Sequence, residues 1–128
     1  MLDVYDENEM ISQLRDQLPC RIELPEEWDD FFALSGVSDP KFDDRRRFSR
    51  RRHRRKAILE RNDVFFTVYT KDVSRIGIGL LHPEQLFPGE RVKIWLPGKL
   101  RFALRVTRCL RIQKRCYECG TNFDIQRR

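Results

Sequence analysis

Asp72, Ser74 and Gly77 put a carboxylate, a hydroxyl and a glycine within one six-residue segment, Asp72-Val-Ser74-Arg-Ile-Gly77. A carboxylate accepts from paired N–H donors, and a hydroxyl donates to a phosphate or base oxygen. Glycine supplies a positive φ or lets another backbone approach closely. By itself such a segment also makes an ordinary turn, because Asp and Ser close local hydrogen bonds. Upstream, the run Arg45 to Lys56 holds nine Lys/Arg in twelve positions, together with His53, and eight of the nine are arginine. Guanidinium clamps a phosphate or the O6/N7 edge of a guanine with two parallel hydrogen bonds, which an ammonium cannot do. The bias toward arginine therefore favours planar recognition over diffuse charge.

Other chemistries find less support. His53 and His82 are the only histidines, and Ser74 lacks the flanking glycines of a nucleophile elbow. Gly77-Ile-Gly79 begins like a dinucleotide-binding loop, but His82 occupies the place of the third small residue and Pro83 follows. Cys116-Tyr-Glu-Cys119 has metal-like spacing, yet strand residues three apart face opposite sides, and only Cys109 offers a further ligand. The four cysteines read as reduced, partly buried thiols. The expectation is a non-enzymatic protein with no catalytic residues, no metal and no cofactor.

The 128 residues suit a single domain, 40% hydrophobic and 36% charged. Residues 1–44 carry thirteen acidic and three basic residues, a net −10, and residues 45–128 carry seven and twenty-three, a net +16. The basic part calls for an anionic partner such as a phosphate or nucleic acid. The longest nearly apolar stretch, Ile76 to Leu81, is far too short to span a bilayer. The acidic start, with no apolar segment behind it, is no secretory signal, so a cytoplasmic protein without membrane insertion is expected.

Periodicity supplies the elements that must position these residues. Met10, Ile11, Leu14 and Leu18 recur at helical spacing and predict an amphipathic helix over 4–18, stopped by Pro19. Pro25, Glu26 and Glu27 open a second helix over 25–34, with Trp28, Phe31 and Phe32 on its apolar face. After the basic run the period becomes two. Strands are predicted at Ala57–Glu60, Val64–Thr70, Ile76–Leu81, Val92–Leu96, a long one through Phe102, Leu104 and Val106, and Arg115–Ile125. Arg61-Asn62-Asp63, Phe87-Pro88-Gly89-Glu90 and Pro97-Gly98 are the turns. Arg108 interrupts the inward face between Val106 and Leu110, which predicts a bulge or a rim position. The organisation is an acidic helical extension over 1–44 and, over 45–128, a mainly β domain: a six-stranded antiparallel β-barrel led by the arginine-rich segment. The opposite charges and the apolar stripe at Trp28 predict that residues 1–44 lie on the barrel near the arginines.

The arginines followed by Asp72-x-Ser74-x-x-Gly77 resemble the PilZ family, bacterial receptor domains for the second messenger cyclic di-GMP. Its signature is Arg-x-x-x-Arg, some twenty residues, then Asp/Asn-x-Ser-x-x-Gly. Ile78-Gly79-Leu80-Leu81, the turn at Leu86–Val92 and the late Gly120-Thr-Asn-Phe123 also look like the family. Arginines fit the first half in several registers: Arg46/Arg50, Arg47/Arg51, Arg50/Arg54 and Arg51/Arg55. The family places its second arginine just before the first strand, which selects Arg51/Arg55. The resemblance implies a PilZ-like barrel that binds cyclic di-GMP through Arg50, Arg51, Arg55, Asp72, Ser74 and Gly77, and that signals to a downstream protein partner. It also implies two ligand molecules per chain, because a long basic residue before the first motif arginine, here Arg50, favours a stacked pair. Two other readings use the same residues. One is a nucleic-acid-binding small barrel with Trp95, Phe65 or Tyr69 as stacking platforms; the other is a PilZ fold without ligand binding that serves as a protein-interaction module.

Overall fold

The computed structural model describes residues 4–28, 36–37, 51–98 and 100–124. Helix α1 spans Val4–Gln17, and a single 3-10 turn follows at Glu26–Trp28. Two short strands come next, β1 (Gly36–Val37) and β2 (Arg51–Arg52). The longer ones are β3 (Lys56–Arg61), β4 (Val64–Val73), β5 (Ile78–His82), β6 (Arg91–Leu96), β7 (Leu100–Gln113) and β8 (Cys116–Phe123). Beyond Trp28, the predicted second helix lies outside the described residues, Phe31 and Phe32 included. The predicted strand at Ile76 starts two residues late: Ile76 is 41% exposed, and β5 begins only at Ile78.

The six long strands pair antiparallel in the order β4-β3-β6-β7-β8-β5, and β5 returns to β4, closing the barrel. Closure removes the free sheet edges that an open meander would leave. Turn chemistry sets the hairpins. Asn62 and Asp63 both take positive φ, 51° and 66°, in the two-residue turn between β3 and β4, whose twist matches that of the flanking strands. Gly98, at φ 87°, holds the Pro97-Gly98 hairpin between β6 and β7, and Gly89, at the same φ, holds the Pro88-Gly89 turn that leads from β5 into β6 without pairing them.

The barrel interior is filled by alternate residues: Ala57 and Leu59, Val68, Ile78 and Leu80, Val92, Ile94 and Leu96, Leu104 and Val106. Ile58 and Trp95 point the other way and are nonetheless buried, because Ile11 of α1 packs on them with Met10, Leu14 and Leu18 alongside. After the helix, Ile22 joins the barrel core, and Cys20, Leu24 and Trp28 pack against it. Described residues before the arginine run thus dock on the barrel, chiefly by apolar burial. Charge contributes at the rim, through Glu7–Arg101 at 3.0 Å and Glu23–Arg115 at 3.7 Å, and neither arginine belongs to the basic run. Among the described residues, Gly36 and Val37 pair with Arg52 and Arg51 at the start of the described part of that run.

One expectation needs correction here. Trp95 is 3% exposed and Phe65 packs into the same cluster under α1, so neither is a stacking platform; Tyr69 is half-buried against the core. The four cysteines are free thiols, Cys116 and Cys119 buried and Cys20 and Cys109 half-buried. Cys119 faces Cys109, Sγ to Sγ 3.1 Å. Among the described residues no cluster of three or more metal-ligating side chains forms, and no helix is long and apolar enough to cross a membrane.

His82 is fully buried, its ring 4.6 Å from that of Phe66 and its Nδ1 within 3.0 Å of the Glu84 backbone, while Nε2 has no protein partner. Burial drives its pKa down from 6.5 to about 4. Above pH 6.5 the imidazole is neutral in both folded and unfolded chains. As pH falls toward 4 only the unfolded chain takes the proton, so stability drops, by up to about 3 kcal/mol at 1.36 kcal/mol per unit. Denaturant titrations between pH 7 and 4 should display this slope, and His82→Leu should flatten it. An equal slope in the variant would assign the titration to another group.

Candidate functional site

The sequence segment singled out for its chemistry is a corner between two barrel strands. Asp72 lies near the end of β4, Ser74 to Gly77 form the connection, and β5 follows. Ser74 closes the corner on itself: its N–H donates to the Gly77 carbonyl at 2.9 Å, and its hydroxyl oxygen accepts from the Ile76 N–H at 3.3 Å. Asp72, Ser74 and Gly77 line one groove with Gly79, Thr107, Arg108, Gly120 and Asn122.

A β-bulge aims the carboxylate. Along β4, Val68 and Thr70 are buried, and strict alternation would bury Asp72 with them. The β4–β5 register shifts instead: Thr70 pairs with Leu80, but Asp72 pairs with Gly79. The extra residue, Lys71, turns Asp72 from the face of Leu80 to the opposite, outer face. Lys71 itself pairs with Glu118 at 2.6 Å.

The glycines are explained by sterics. Gly77 is buried and does not take the positive φ its turn position suggested. A Cβ there would stand 1.7 Å from the Thr121 carbonyl oxygen, so glycine is required because the corner presses on the backbone of β8. A Cβ on Gly79 would come within 2.6 Å of Asp72 Oδ1, so Gly79 provides the space that the carboxylate occupies.

Thr70 tethers the arginine segment to this corner. Its fully buried hydroxyl donates to the His53 carbonyl at 2.5 Å and accepts from the Arg55 N–H at 3.0 Å. The Thr70 N–H donates to the Arg55 carbonyl at 2.8 Å, and the His53 N–H to the Lys71 carbonyl at 3.1 Å. Just upstream, β2 pairs with the end of β4, Arg51 opposite Val73 and Arg52 opposite Asp72. Arg55 is exposed and immediately precedes β3, which starts at Lys56. Arg50 and the side chain of Arg51 lie outside the described residues.

Residues 44–128 match the family model for the PilZ domain, a span that contains the arginine segment, the Asp72–Gly77 corner and the whole barrel. The chain belongs to the PilZ family. No curated protein matches it. The PilZ family is a family of cyclic di-GMP receptor domains, and the closed six-stranded antiparallel barrel with one N-terminal helix agrees with that membership.

Sequence reasoning missed Gly79, Gly120 and Arg108 as groove residues and Thr70 as the tether. A signal was available for the glycines, since glycine inside a strand marks a bulge or a close approach. For Arg108 the interrupted alternation gave the bulge but not its purpose. The PilZ corner makes a pair of contrasting substitutions informative. Gly77→Ala should lower stability by about 2 kcal/mol or more, the scale of an overpacked core, and would be read by chemical denaturation. Gly79→Ala should cost less, because the flexible Asp72 side chain can swing away. Equal losses would mean that Gly79 too is pinned by backbone.

Proposed function

We propose that the protein is a non-enzymatic receptor that binds cyclic di-GMP across the Asp72–Gly77 corner, with the arginine segment closing over it. The observation that carries this reading is the convergence of β2, the 53–55 segment and the corner on one end of β4, through the Thr70 hydrogen bonds and the Arg52–Asp72 register. In this reading Arg51 and Arg55 engage phosphate or guanine edges bidentately. Asp72 accepts from the guanine N–H groups, Ser74 donates to phosphate or base, and Gly77 keeps the corner tight against β8. Cyclic di-GMP is a dianion, and the +16 of residues 45–128 attracts it. Two stacked ligands bring twice that charge, and Arg50, preceding the first motif arginine, offsets it. Two molecules per chain are therefore expected. Signalling then passes to a protein partner, in the cytoplasm. The nucleic-acid reading loses its stacking platforms with Trp95 and Phe65 under the helix.

Calorimetric titration with cyclic di-GMP, alongside a single-stranded oligonucleotide, tests the reading. Two ligands per chain should bind. Arg55→Ala and Asp72→Ala should each weaken binding by about 2 kcal/mol or more, the scale for a lost charged hydrogen-bond partner, and Arg50→Leu should shift the count toward one. Unchanged affinity in both alanine variants would remove the site assignment, and one ligand on the unmodified chain would remove the stoichiometry. Oligonucleotide binding with a steep salt slope would favour the nucleic-acid reading. Binding of neither would favour a protein-interaction module.

A further inference from the structure

Four residues form a row across four neighbouring strands: Asp72 on β4 pairs with Gly79 on β5, Gly79 with Gly120 on β8, and Gly120 with Arg108 on β7. The two ends of the row are built alike. At Arg108 the β7–β8 register shifts between Val106, which pairs with Thr121, and Arg108, which pairs with Gly120. Val106 and Thr121 are buried, so the extra residue, Thr107, turns Arg108 from the inner face to the outer one, as Lys71 does for Asp72. The Thr107 hydroxyl fastens this bulge by donating to the Gly120 carbonyl at 3.0 Å.

The two central glycines leave room for the two charged side chains to lean toward each other. Asp72 Oδ1 lies 2.6 Å from where a Cβ of Gly79 would stand, and Arg108 Cγ and Nε lie 3.1 Å from that of Gly120. A carboxylate over one strand and a guanidinium over the next are therefore separated by about one strand spacing, roughly 5 Å. Among the described residues Arg108 donates to no protein acceptor and forms no ion pair. Its fork is available to a ligand in the groove that both residues line.

An acceptor and a donor set side by side match one edge of one base. The Watson–Crick edge of guanine runs acceptor, donor, donor: O6, N1–H and N2–H₂. Adenine offers an amino donor where guanine has O6, and a bare ring nitrogen where guanine has N1–H. Against adenine the guanidinium would face a donor and the carboxylate an acceptor, a mismatch at both positions that disfavours binding. We propose that Arg108 is a specificity-determining residue of the site, donating to guanine O6 while Asp72 accepts from N1–H and N2–H₂. This inference rests on the cyclic di-GMP reading above and adds to it the group that tells guanine from adenine.

The test measures binding of cyclic di-GMP and cyclic di-AMP, the latter by competition, to the full chain and to Arg108→Ala and Arg108→Gln. Arg108 is exposed, so both variants should fold, which thermal melting checks. Arg108→Ala should weaken cyclic di-GMP about 10- to 100-fold and leave cyclic di-AMP unchanged, shrinking the preference by the same factor. Arg108→Gln, which keeps an N–H donor, should retain part of the preference. An equal loss for both ligands would make Arg108 a phosphate contact and overturn the proposal, as would no loss at all. Failure of the unmodified chain to bind cyclic di-GMP would instead overturn the reading of the whole site.

Discussion

The candidate site depends on the period-two alternation of a closed barrel and on two places where that alternation is broken. In a barrel this small, inward positions are filled with aliphatic side chains, and an unpaired charge among them costs several kcal/mol. Asp72 and Arg108 each stand at a sequence position whose parity points inward. One extra residue in each strand, Lys71 and Thr107, reverses that parity and delivers the charge to the outer face. The same two residues are tied down from outside, Lys71 by Glu118 and Thr107 by the Gly120 carbonyl. Both bulges fall on one row of paired residues, so together they line a single polar groove.

The glycines and Thr70 follow from that arrangement. Gly79 and Gly120 are bare because Asp72 and Arg108 lean over them, whereas Gly77 is bare because the corner lies against the β8 backbone. The first two serve the groove and the third serves the fold, although the family signature names only the third. Thr70, a polar side chain with no exposure, has its hydroxyl fully employed in holding residues 53–55 beside β4. The N-terminal helix lies over a different part of the barrel, on Ile58 and Trp95, and buries what would otherwise be an apolar patch. Removing it would expose that patch, so the helix belongs to the stability of the barrel.

Much of this was legible in the sequence, and the limits have physical causes. Alternating hydrophobics gave all six barrel strands, and the Asn62-Asp63 and Pro97-Gly98 turns gave the β3–β4 and β6–β7 hairpins, because these signals are local. The family signature gave Asp72, Ser74 and Gly77. Alternation could not give the face of Asp72, since a bulge is a property of a strand pair and not of one strand. Nor could it reveal that Trp95 is covered, because the cover comes from Ile11, more than eighty residues away. The interrupted pattern at Arg108 was visible, but its meaning required the register that sets it opposite Gly120.

The most direct measurement of the central claim is a ¹H–¹⁵N spectrum of the full chain titrated with cyclic di-GMP. If the ligand lies on the row between the two bulges, the amides of Asp72 through Gly79, of Thr107 and Arg108, and of Gly120 through Asn122 should shift together. Those of α1 and Trp95, beneath the helix, should stay in place. Shifts confined to the helix and its contact surface, with the Asp72–Arg108 row unmoved, would contradict the account.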